Sequence, residues 1–182
     1  MEPKLVLTGF MGTGKSRVGQ LAAARLGWPF IDSDAEITAR TGKPIHDIFA
    51  DHGETYFRQL ERAVIAELAM RMQPLVIAAG GGALTDEANF RALENAGILV
   101  CLSARPKIIA ERVAKSSDPR PKLLEGGKPL DERITELLSE RAASYGRVSI
   151  TIDTSDITLE QAAERVITAF SARRERRCEP SA

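Results

Sequence analysis

An eight-residue stretch near the start of the chain, GFMGTGKS, constrains the fold more than any other feature. It matches the pattern G-x-x-x-x-G-K-[ST]. It begins within the apolar run LVLTGF and leads into an amphipathic segment that ends at Gly27. An apolar strand before such a loop and a helix after it are the context in which the pattern binds phosphate. The sequence therefore predicts a strand, a loop and a helix that together hold the phosphates of a nucleotide.

The residue types in this loop explain the prediction. Gly12 and Gly14 lack a Cβ atom, so the loop can curl with its N–H groups pointing inward at phosphate oxygens. Lys15 adds a positive charge near the β and γ phosphates, and the Ser16 hydroxyl is a ligand for Mg²⁺. ATP or GTP with magnesium is therefore the implied cofactor. The alternative is a glycine-rich turn that happens to precede a helix. The expected nucleotide contacts here are Gly12, Thr13, Gly14, Lys15, Ser16 and Arg17, the last of which we expect to point to solvent.

Composition limits the remaining classes of function. The chain has 182 residues, 43% hydrophobic and 27% charged, which fits one compact domain over residues 1–182. Its formal net charge is zero, so no global field attracts it to nucleic acid or to an anionic membrane. No apolar run approaches the roughly 20 residues of a membrane span. Cys101 and Cys178 read as free thiols. We expect a cytoplasmic monomer whose partner is a small molecule.

Short apolar runs alternate with longer amphipathic segments along the chain. The runs LVLTGF, PFIDSD, LVIAAG, ILVCLS and SITIDTS read as strands. They do not alternate in polarity, and helical patterns separate them, so they predict a parallel sheet buried on both faces. The fold class is thus α/β, with three layers and five parallel strands. Glycines should end the helices DAEITARTG and PIHDIFADHG.

Residues 116–130 interrupt this pattern. The segment SSDPRPKLLEGGKPL holds three prolines and two glycines, with little periodicity. It is too long for an ordinary connection in a compact domain. We interpret it as a mobile lid over the active site.

Two aspartates follow the second predicted strand. If that strand continues through IDSD, Asp32 and Asp34 project on the same side. Ligands of open α/β sheets bind at the carboxyl ends of the strands, which is also where the phosphate loop lies. Both carboxylates would then face the γ-phosphate region. Alternatively, Asp34 or Ser33 caps the helix that follows, and the two roles can coexist.

Three glycines, Gly80, Gly81 and Gly82, follow the third predicted strand. Many nucleotide hydrolases have a magnesium-binding aspartate at this place. Exposed backbone N–H groups suit the close approach of a hydroxylated or anionic small molecule. A tight strand-to-helix turn is the alternative, but it needs fewer glycines.

Taken together, the motifs resemble the shikimate kinase family. The segments GFMGTGKS, DSD, IFADHGETYFRQLE, AAGGGALT, RPKLL and ERAASYGRV occur in this order over nearly the whole chain. The resemblance implies a P-loop kinase fold with the strand order 2-3-1-4-5. It also implies transfer of the γ-phosphoryl group of ATP to the 3-hydroxyl of shikimate, a step of aromatic amino-acid biosynthesis through chorismate.

For the acceptor, the resemblance implies a substrate-binding segment over about residues 33–61. Asp34 would hold and polarise the shikimate hydroxyls, and Arg58 and Arg141 would bind the carboxylate. The backbone around Gly81, within the triple glycine, would contact a ring hydroxyl.

For the nucleotide, the resemblance implies that Asp32 holds magnesium through water and that Arg120 moves with the lid onto the phosphates. Lys15 and Arg120 would stabilise charge on the transferred group. Arg112 and the loop at residues 153–154 are candidates for contact with the adenine. The lid reads RPKLL where the family commonly has RPLL, so Lys122 is a departure from the family pattern within the lid.

Several alternatives stay open. Arg58 has Glu54 and Glu61 at helical spacing, and an ordinary surface ion pair would explain it without a ligand. Arg147 competes with Arg141 for the second carboxylate contact. Phe49 and Phe57 belong either to the core or to the wall of the substrate pocket.

Two other functions remain possible from the sequence alone. A P-loop kinase could act on a different small acceptor, such as gluconate or a nucleoside monophosphate, because fold does not set the substrate. A non-catalytic nucleotide-binding protein would show decay of the site, yet Lys15, Asp34 and Arg120 are all present.

Overall fold

One sheet of five parallel strands organises the computed structural model of the chain, which describes residues 3–115 and 129–178. The strand order is β2-β3-β1-β4-β5, and every neighbouring pair is parallel. This confirms the predicted fold class and strand order. The strands are β1 Lys4–Gly9, β2 Phe30–Asp32, β3 Val76–Ala78, β4 Gly97–Ser103 and β5 Thr151–Asp153.

Helices connect the strands and cover both faces of the sheet. Within the described ranges the helices are α1 Lys15–Leu26, α2 Ser33–Thr41, α3 Ile45–Met70, α4 Glu87–Ala96, α5 Pro106–Ala114, α6 Leu130–Gly146 and α7 Leu159–Cys178. A short 3₁₀ turn, Ala83–Thr85, precedes α4. None of the helices in these ranges has the length and apolar character that crossing a membrane requires.

The central strand β1 is buried along its whole length, as a strand with neighbours on both sides and helices on both faces must be. Leu5 lies opposite Val76 of β3 and Ile98 of β4. Side chains on one face pack with helices α2, α3 and α4, and those on the other pack with α1 and α7. A third apolar cluster, around Phe10 and Ile109, joins α5 and α6 to the end of β1. The result is the predicted three-layer arrangement.

Glycines end or break the helices where the sequence predicts. Gly27 closes α1 in a left-handed conformation, and its N–H bonds to carbonyls of the last turn. Gly53 has φ 78° and ψ 177° within α3. Residues with a Cβ atom rarely adopt this backbone conformation, whereas glycine adopts it readily. The two helices predicted on either side of Gly53 are therefore two halves of one kinked helix.

The prediction for the end of the second strand is wrong in its details. Strand β2 stops at Asp32, so Asp34 lies in the first turn of α2 and not on a strand. The helix cap is Asp32, not Asp34 or Ser33, because its Oδ1 accepts from the Asp34 N–H at 3.0 Å and from the Ala35 N–H. Ser33 instead faces β3, where its Oγ accepts from the Gly80 N–H at 2.9 Å.

The predicted lid lies almost wholly outside the described residues. Of residues 116–130, only Pro129 and Leu130 are described, and Leu130 already belongs to α6. Arg120 and Lys122 fall in the part not described, so the predictions for the lid stay predictions.

Candidate active site

The phosphate loop curls between the end of β1 and the start of α1. Gly12 and Gly14 have φ values of 79° and 96°, in the left-handed region that favours glycine. Two side chains of the loop fold back on its first turn. The Thr13 hydroxyl donates to the Phe10 carbonyl at 2.7 Å, and Lys15 Nζ donates to the same oxygen at 3.0 Å. The ammonium group of Lys15 is thus held over the loop that would surround a phosphate.

Ser16 and Asp32 meet at the side of this loop. The Ser16 hydroxyl donates to Asp32 Oδ2 at 2.5 Å, while the other oxygen of Asp32 caps α2. No group of three or more His, Cys, Asp or Glu side chains among residues 3–115 and 129–178 could hold a metal by itself. Mg²⁺ bound with a nucleotide does not need such a group, since it keeps several waters and takes one or two protein oxygens plus phosphates. One hydroxyl and one carboxylate oxygen side by side fit that requirement.

Asp34 is a carboxylate in an unfavourable environment. Its Oδ1 is inaccessible to solvent and has no hydrogen-bond partner among the described residues. Burial, together with the neighbouring charges of Asp32 and Glu61, raises the pKa of Asp34 to about 6. Lys15 and Arg58 act in the opposite direction. The residue as a whole is half-buried and lines the cleft, so its carboxylate can accept a hydrogen bond from a ligand hydroxyl there.

Arg58 extends from α3 between two glutamates of its own helix. Its Nη2 lies 2.9 Å from Glu54 Oε1, and its Nη1 lies 2.6 Å from Glu61 Oε2. The Glu61 side chain is only 1% exposed, and burial raises its pKa. The ion pair predicted as an alternative to a binding role therefore exists, but with Glu61 it is not a surface pair. Phe57 packs in the core beside Phe49, with ring centroids 4.6 Å apart, and both line the cleft.

Arg141 reaches the same region from α6. The residue is 9% exposed, its guanidinium carbon lies 5.2 Å from the centre of the Phe10 ring, and its Nη1 donates to the Gly81 carbonyl at 3.2 Å. Arg147 does not line the cleft. It binds Glu87, with a shortest contact of 2.6 Å, and its guanidinium carbon lies 3.4 Å from the centre of the Phe90 ring. Between these two candidates, only Arg141 is positioned to meet a ligand.

The triple glycine is crowded by the charged groups around it. A Cβ on Gly80 would lie 2.6 Å from Asp34 Oδ1, and one on Gly82 would lie 2.9 Å from Arg58 Nη2. Distances below 3 Å do not occur between real atoms of these kinds. The backbone can come this close to Asp34 and Arg58 only because these residues lack side chains.

Arg112 joins the phosphate loop to the end of β5. Its Nη1 donates to Thr154 Oγ1 at 2.9 Å and to the Gly12 carbonyl, and its Nη2 donates to the Thr154 carbonyl at 2.6 Å. The Thr154 hydroxyl in turn donates to the Thr13 carbonyl at 3.1 Å. Arg112 thus lies at the outer edge of the phosphate loop, next to the segment around residue 154.

Apart from Arg147 and its partners, these parts of the structure meet at one cleft of about 1430 Å³ at the carboxyl ends of the strands. Every predicted site residue within the described ranges lines it. They are Gly12, Thr13, Gly14, Lys15, Ser16, Arg17, Asp32, Asp34, Arg58, Gly80, Gly81, Gly82, Arg112 and Arg141. Arg17 is exposed, as predicted.

Comparison with known proteins gives the family. The protein-family model described as "Shikimate kinase" matches residues 11–171 of the chain. The chain belongs to the shikimate kinase family. A shikimate kinase of Caldanaerobacter subterraneus subsp. tengcongensis is 44% identical over 166 residues, which cover 91% of this chain and 95% of the relative. One of Moorella thermoacetica is 40% identical over 172 residues, with 94% and 96% covered.

Solved structures agree with this assignment. A shikimate kinase from Acinetobacter baumannii, in complex with shikimate, superimposes with a TM-score of 0.87 and 34% identity over 94% of each chain. A gluconokinase from Sinorhizobium meliloti reaches a TM-score of 0.64 with 20% identity, over 96% of this chain and 95% of the other, and shares the fold alone. Membership of the shikimate kinase family confirms the resemblance seen in the motifs and makes the chain an ATP-dependent kinase.

Sequence reasoning missed two residues of this kinase site. Glu61 entered only as an ion-pair partner, although it is buried and raises the pKa of Asp34. Tyr145 was not singled out, yet its hydroxyl donates to the Gly81 carbonyl at 2.6 Å. Its spacing of four residues from Arg141, which puts both on one face of α6, was the available signal.

Proposed function

We propose that the chain transfers the γ-phosphoryl group of ATP to the 3-hydroxyl of shikimate, giving shikimate 3-phosphate and ADP in the chorismate route to aromatic amino acids. The observation that carries the proposal is one continuous cleft in which the phosphate loop adjoins Asp34, Arg58 and Arg141. Two guanidinium groups and a carboxylate suit a ligand that carries both an anionic group and hydroxyls.

The acceptor binds through its carboxylate and its hydroxyls. Arg58 and Arg141 bind the carboxylate, because each guanidinium presents paired N–H groups that match two oxygens. To do so, Arg58 gives up its exposed contact with Glu54 and keeps the buried one with Glu61. The backbone of Gly80, Gly81 and Gly82 contacts the ring hydroxyls. The ring is then held at several points, which is how an enzyme fixes a small polar substrate for reaction.

ATP binds with its phosphates in the loop. The backbone N–H groups of residues 12–16 bind phosphate oxygens, and the positive end of α1 points at the same anion. Lys15 supplies charge to the transferred group. Arg112 contacts the adenine end, and Arg17 borders the nucleotide from the solvent side. Arg120, outside the described residues, contributes from the predicted lid.

Ser16 and Asp32 hold Mg²⁺ in this proposal. Their oxygens are adjacent, and Asp32 is kept in place by its second role as the cap of α2. The ion, when bound with ATP, neutralises phosphate charge during the transfer.

Asp34 accepts the proton of the attacking hydroxyl. Above about pH 6 its carboxylate is ionised, and the part of the carboxylate that faces the cleft accepts a hydrogen bond from the 3-hydroxyl of shikimate. As the oxygen–phosphorus bond forms and the bond to ADP breaks, the proton passes to Asp34. The transition state of phosphoryl transfer is loose, so holding the hydroxyl in line contributes as much as removing its proton.

One assay tests the substrate. ADP release is measured with Mg·ATP and with shikimate, gluconate or AMP as the acceptor. We expect turnover with shikimate and at most background release with the other two. Preferential turnover of gluconate or AMP would assign a different kinase activity, and no turnover with any acceptor would favour a nucleotide-binding protein.

We further propose that the enzyme acts as a cytoplasmic monomer without a nucleic-acid or membrane partner. The described groups of the site all come from one chain, and the formal net charge is zero. Light scattering at the concentration of the assay tests the monomer. A dimer that loses activity on dilution would contradict it.

A further inference from the structure

The carbonyl oxygen of Gly81 accepts two hydrogen bonds from side chains of α6. Tyr145 donates its hydroxyl at 2.6 Å, and Arg141 donates Nη1 at 3.2 Å. The two donors lie four residues apart, so they project from the same face of the helix. One backbone oxygen of the glycine loop is thus held by a tyrosine and by the arginine that we place on the substrate carboxylate.

Tyr145 is built into its place. Its ring packs against the apolar cluster between the sheet and helices α2, α3 and α4, and against the cluster around Phe10. Burial raises the pKa of Tyr145 to about 12, so the hydroxyl stays protonated and remains a donor at neutral pH. The guanidinium of Arg141, by contrast, rests on the face of Phe10 and has further N–H groups for a ligand.

Gly81 also touches the phosphate loop. A Cβ at this position would lie 3.3 Å from Arg141 Nη1, 3.4 Å from the Gly9 carbonyl and 3.5 Å from the Met11 nitrogen. The Gly81 peptide is therefore packed between the arginine of the acceptor site and the first residues of the ATP site. A shift of this peptide changes the distance between the two halves of the cleft.

We propose that Tyr145 is a positioning residue for the acceptor: by holding the Gly81 carbonyl, its hydroxyl sets the orientation of Arg141 and the place of the glycine loop against the phosphate loop. Tyr145 does not line the cleft itself and acts through its neighbours. This inference rests on the proposed function only for the identity of the acceptor.

The test removes the hydroxyl and keeps the ring, with Tyr145→Phe. One neutral hydrogen bond is lost, so kcat/KM for shikimate should fall about 3- to 10-fold, mainly through KM, while KM for ATP changes by less than about twofold. The other tyrosine of the chain, Tyr56, is 40% exposed and does not line the cleft, so Tyr56→Phe is the matched control and should change neither constant.

A purely structural role for Tyr145 predicts a different result. Loss of stability alone would lower the melting temperature, or lower kcat through a smaller fraction of folded enzyme, without a selective effect on KM for shikimate. Either result, or a KM for shikimate equal to that of the wild type, would overturn the inference. A second check places Tyr145→Phe in an Arg141→Ala background, where we expect less than about a twofold further effect; full additivity would show that Tyr145 does not act through Arg141.

The failure of this inference can be told from the failure of the proposed function. If the wild-type enzyme does not turn over shikimate, the function is wrong, whatever Tyr145 does. A crystal structure of Tyr145→Phe then still decides the positioning role. The Arg141 guanidinium should leave its contact with the Gly81 carbonyl or shift on Phe10, and an unchanged Arg141 would refute it.

Discussion

Replacing Asp34 with asparagine should make the protein more stable and the enzyme much less active. The pKa of Asp34 rises from 3.8 to about 6 on folding, so keeping it ionised in the native state costs free energy. About two pKa units correspond to about 3 kcal/mol. Asp34→Asn removes the charge and keeps the shape of the side chain. The free energy of unfolding at pH 7.5 should therefore rise by up to about 3 kcal/mol, or about 6 to 12 °C in melting temperature.

The size of this effect depends on pH in a defined way. Between pH 3.8 and 6 the native state binds more protons at Asp34 than the unfolded state, so the destabilising effect of the carboxylate grows as the pH rises and is complete above pH 6. The advantage of Asp34→Asn should therefore shrink to less than about 1 kcal/mol at pH 4. Turnover should fall at least about 100-fold at pH 7.5, with ATP binding largely intact.

Urea unfolding of both proteins at pH 7.5, 6 and 4 measures the difference. Asp51→Asn is the matched control, because Asp51 is exposed and Lys43 lowers its pKa, so removing its charge should bring no gain in stability. An Asp34→Asn protein that is no more stable than the wild type at pH 7.5, or whose gain is the same at every pH, would refute the buried-charge explanation. Near-normal turnover would remove Asp34 from the reaction.

Three more predictions concern the acceptor site. Arg58→Ala should raise KM for shikimate about 10- to 100-fold by removing charged hydrogen bonds. Arg62 lies on the same helix and pairs with Asp86 outside the cleft, so Arg62→Ala should have little effect. Equal effects of the two substitutions on KM for shikimate would mean that Arg58 has a structural role. Gly80→Ala places a methyl group 2.6 Å from Asp34 Oδ1, so it should lower the free energy of unfolding by about 1 to 3 kcal/mol and also lower kcat/KM for shikimate. A fully active Gly80→Ala enzyme of normal stability in urea would show that the loop has room. The value of kcat/KM for shikimate should be half-maximal near pH 6 and about one-tenth of its plateau at pH 5. The reason is that Asp34, once protonated, cannot accept the proton of the substrate hydroxyl. A flat pH profile from pH 5 to 8 would contradict this.

Much of the fold follows from local patterns in the sequence. The unbroken apolar run of β1 and the glycine at residue 27 are sufficient to place a buried strand, a loop and a helix. The kink at Gly53 was also readable, since a glycine between two amphipathic segments marks a break. The order of the strands is different, because no local signal gives it, and it was predicted only through resemblance to a family.

The sequence predicts the place of a site residue in the cleft where a motif of fixed residue types carries the chemistry, as in the phosphate loop. It was misread where several residues compete for one role. Asp32, Ser33 and Asp34 can each cap a helix, and only the end of β2 decides that Asp32 does so and Asp34 faces the cleft. Tyr145 gave only a weak signal, its spacing of four residues from Arg141, because its contact with the Gly81 carbonyl joins residues 64 positions apart in the sequence.

A crystal structure with shikimate and a non-hydrolysable ATP analogue tests the central claim most directly. We expect the shikimate carboxylate on Arg58 and Arg141, and the 3-hydroxyl within hydrogen-bond distance of Asp34 and in line with the terminal phosphate in the loop. A ring bound elsewhere in the cleft, or bound with its carboxylate toward Asp34, would contradict the proposed reaction geometry.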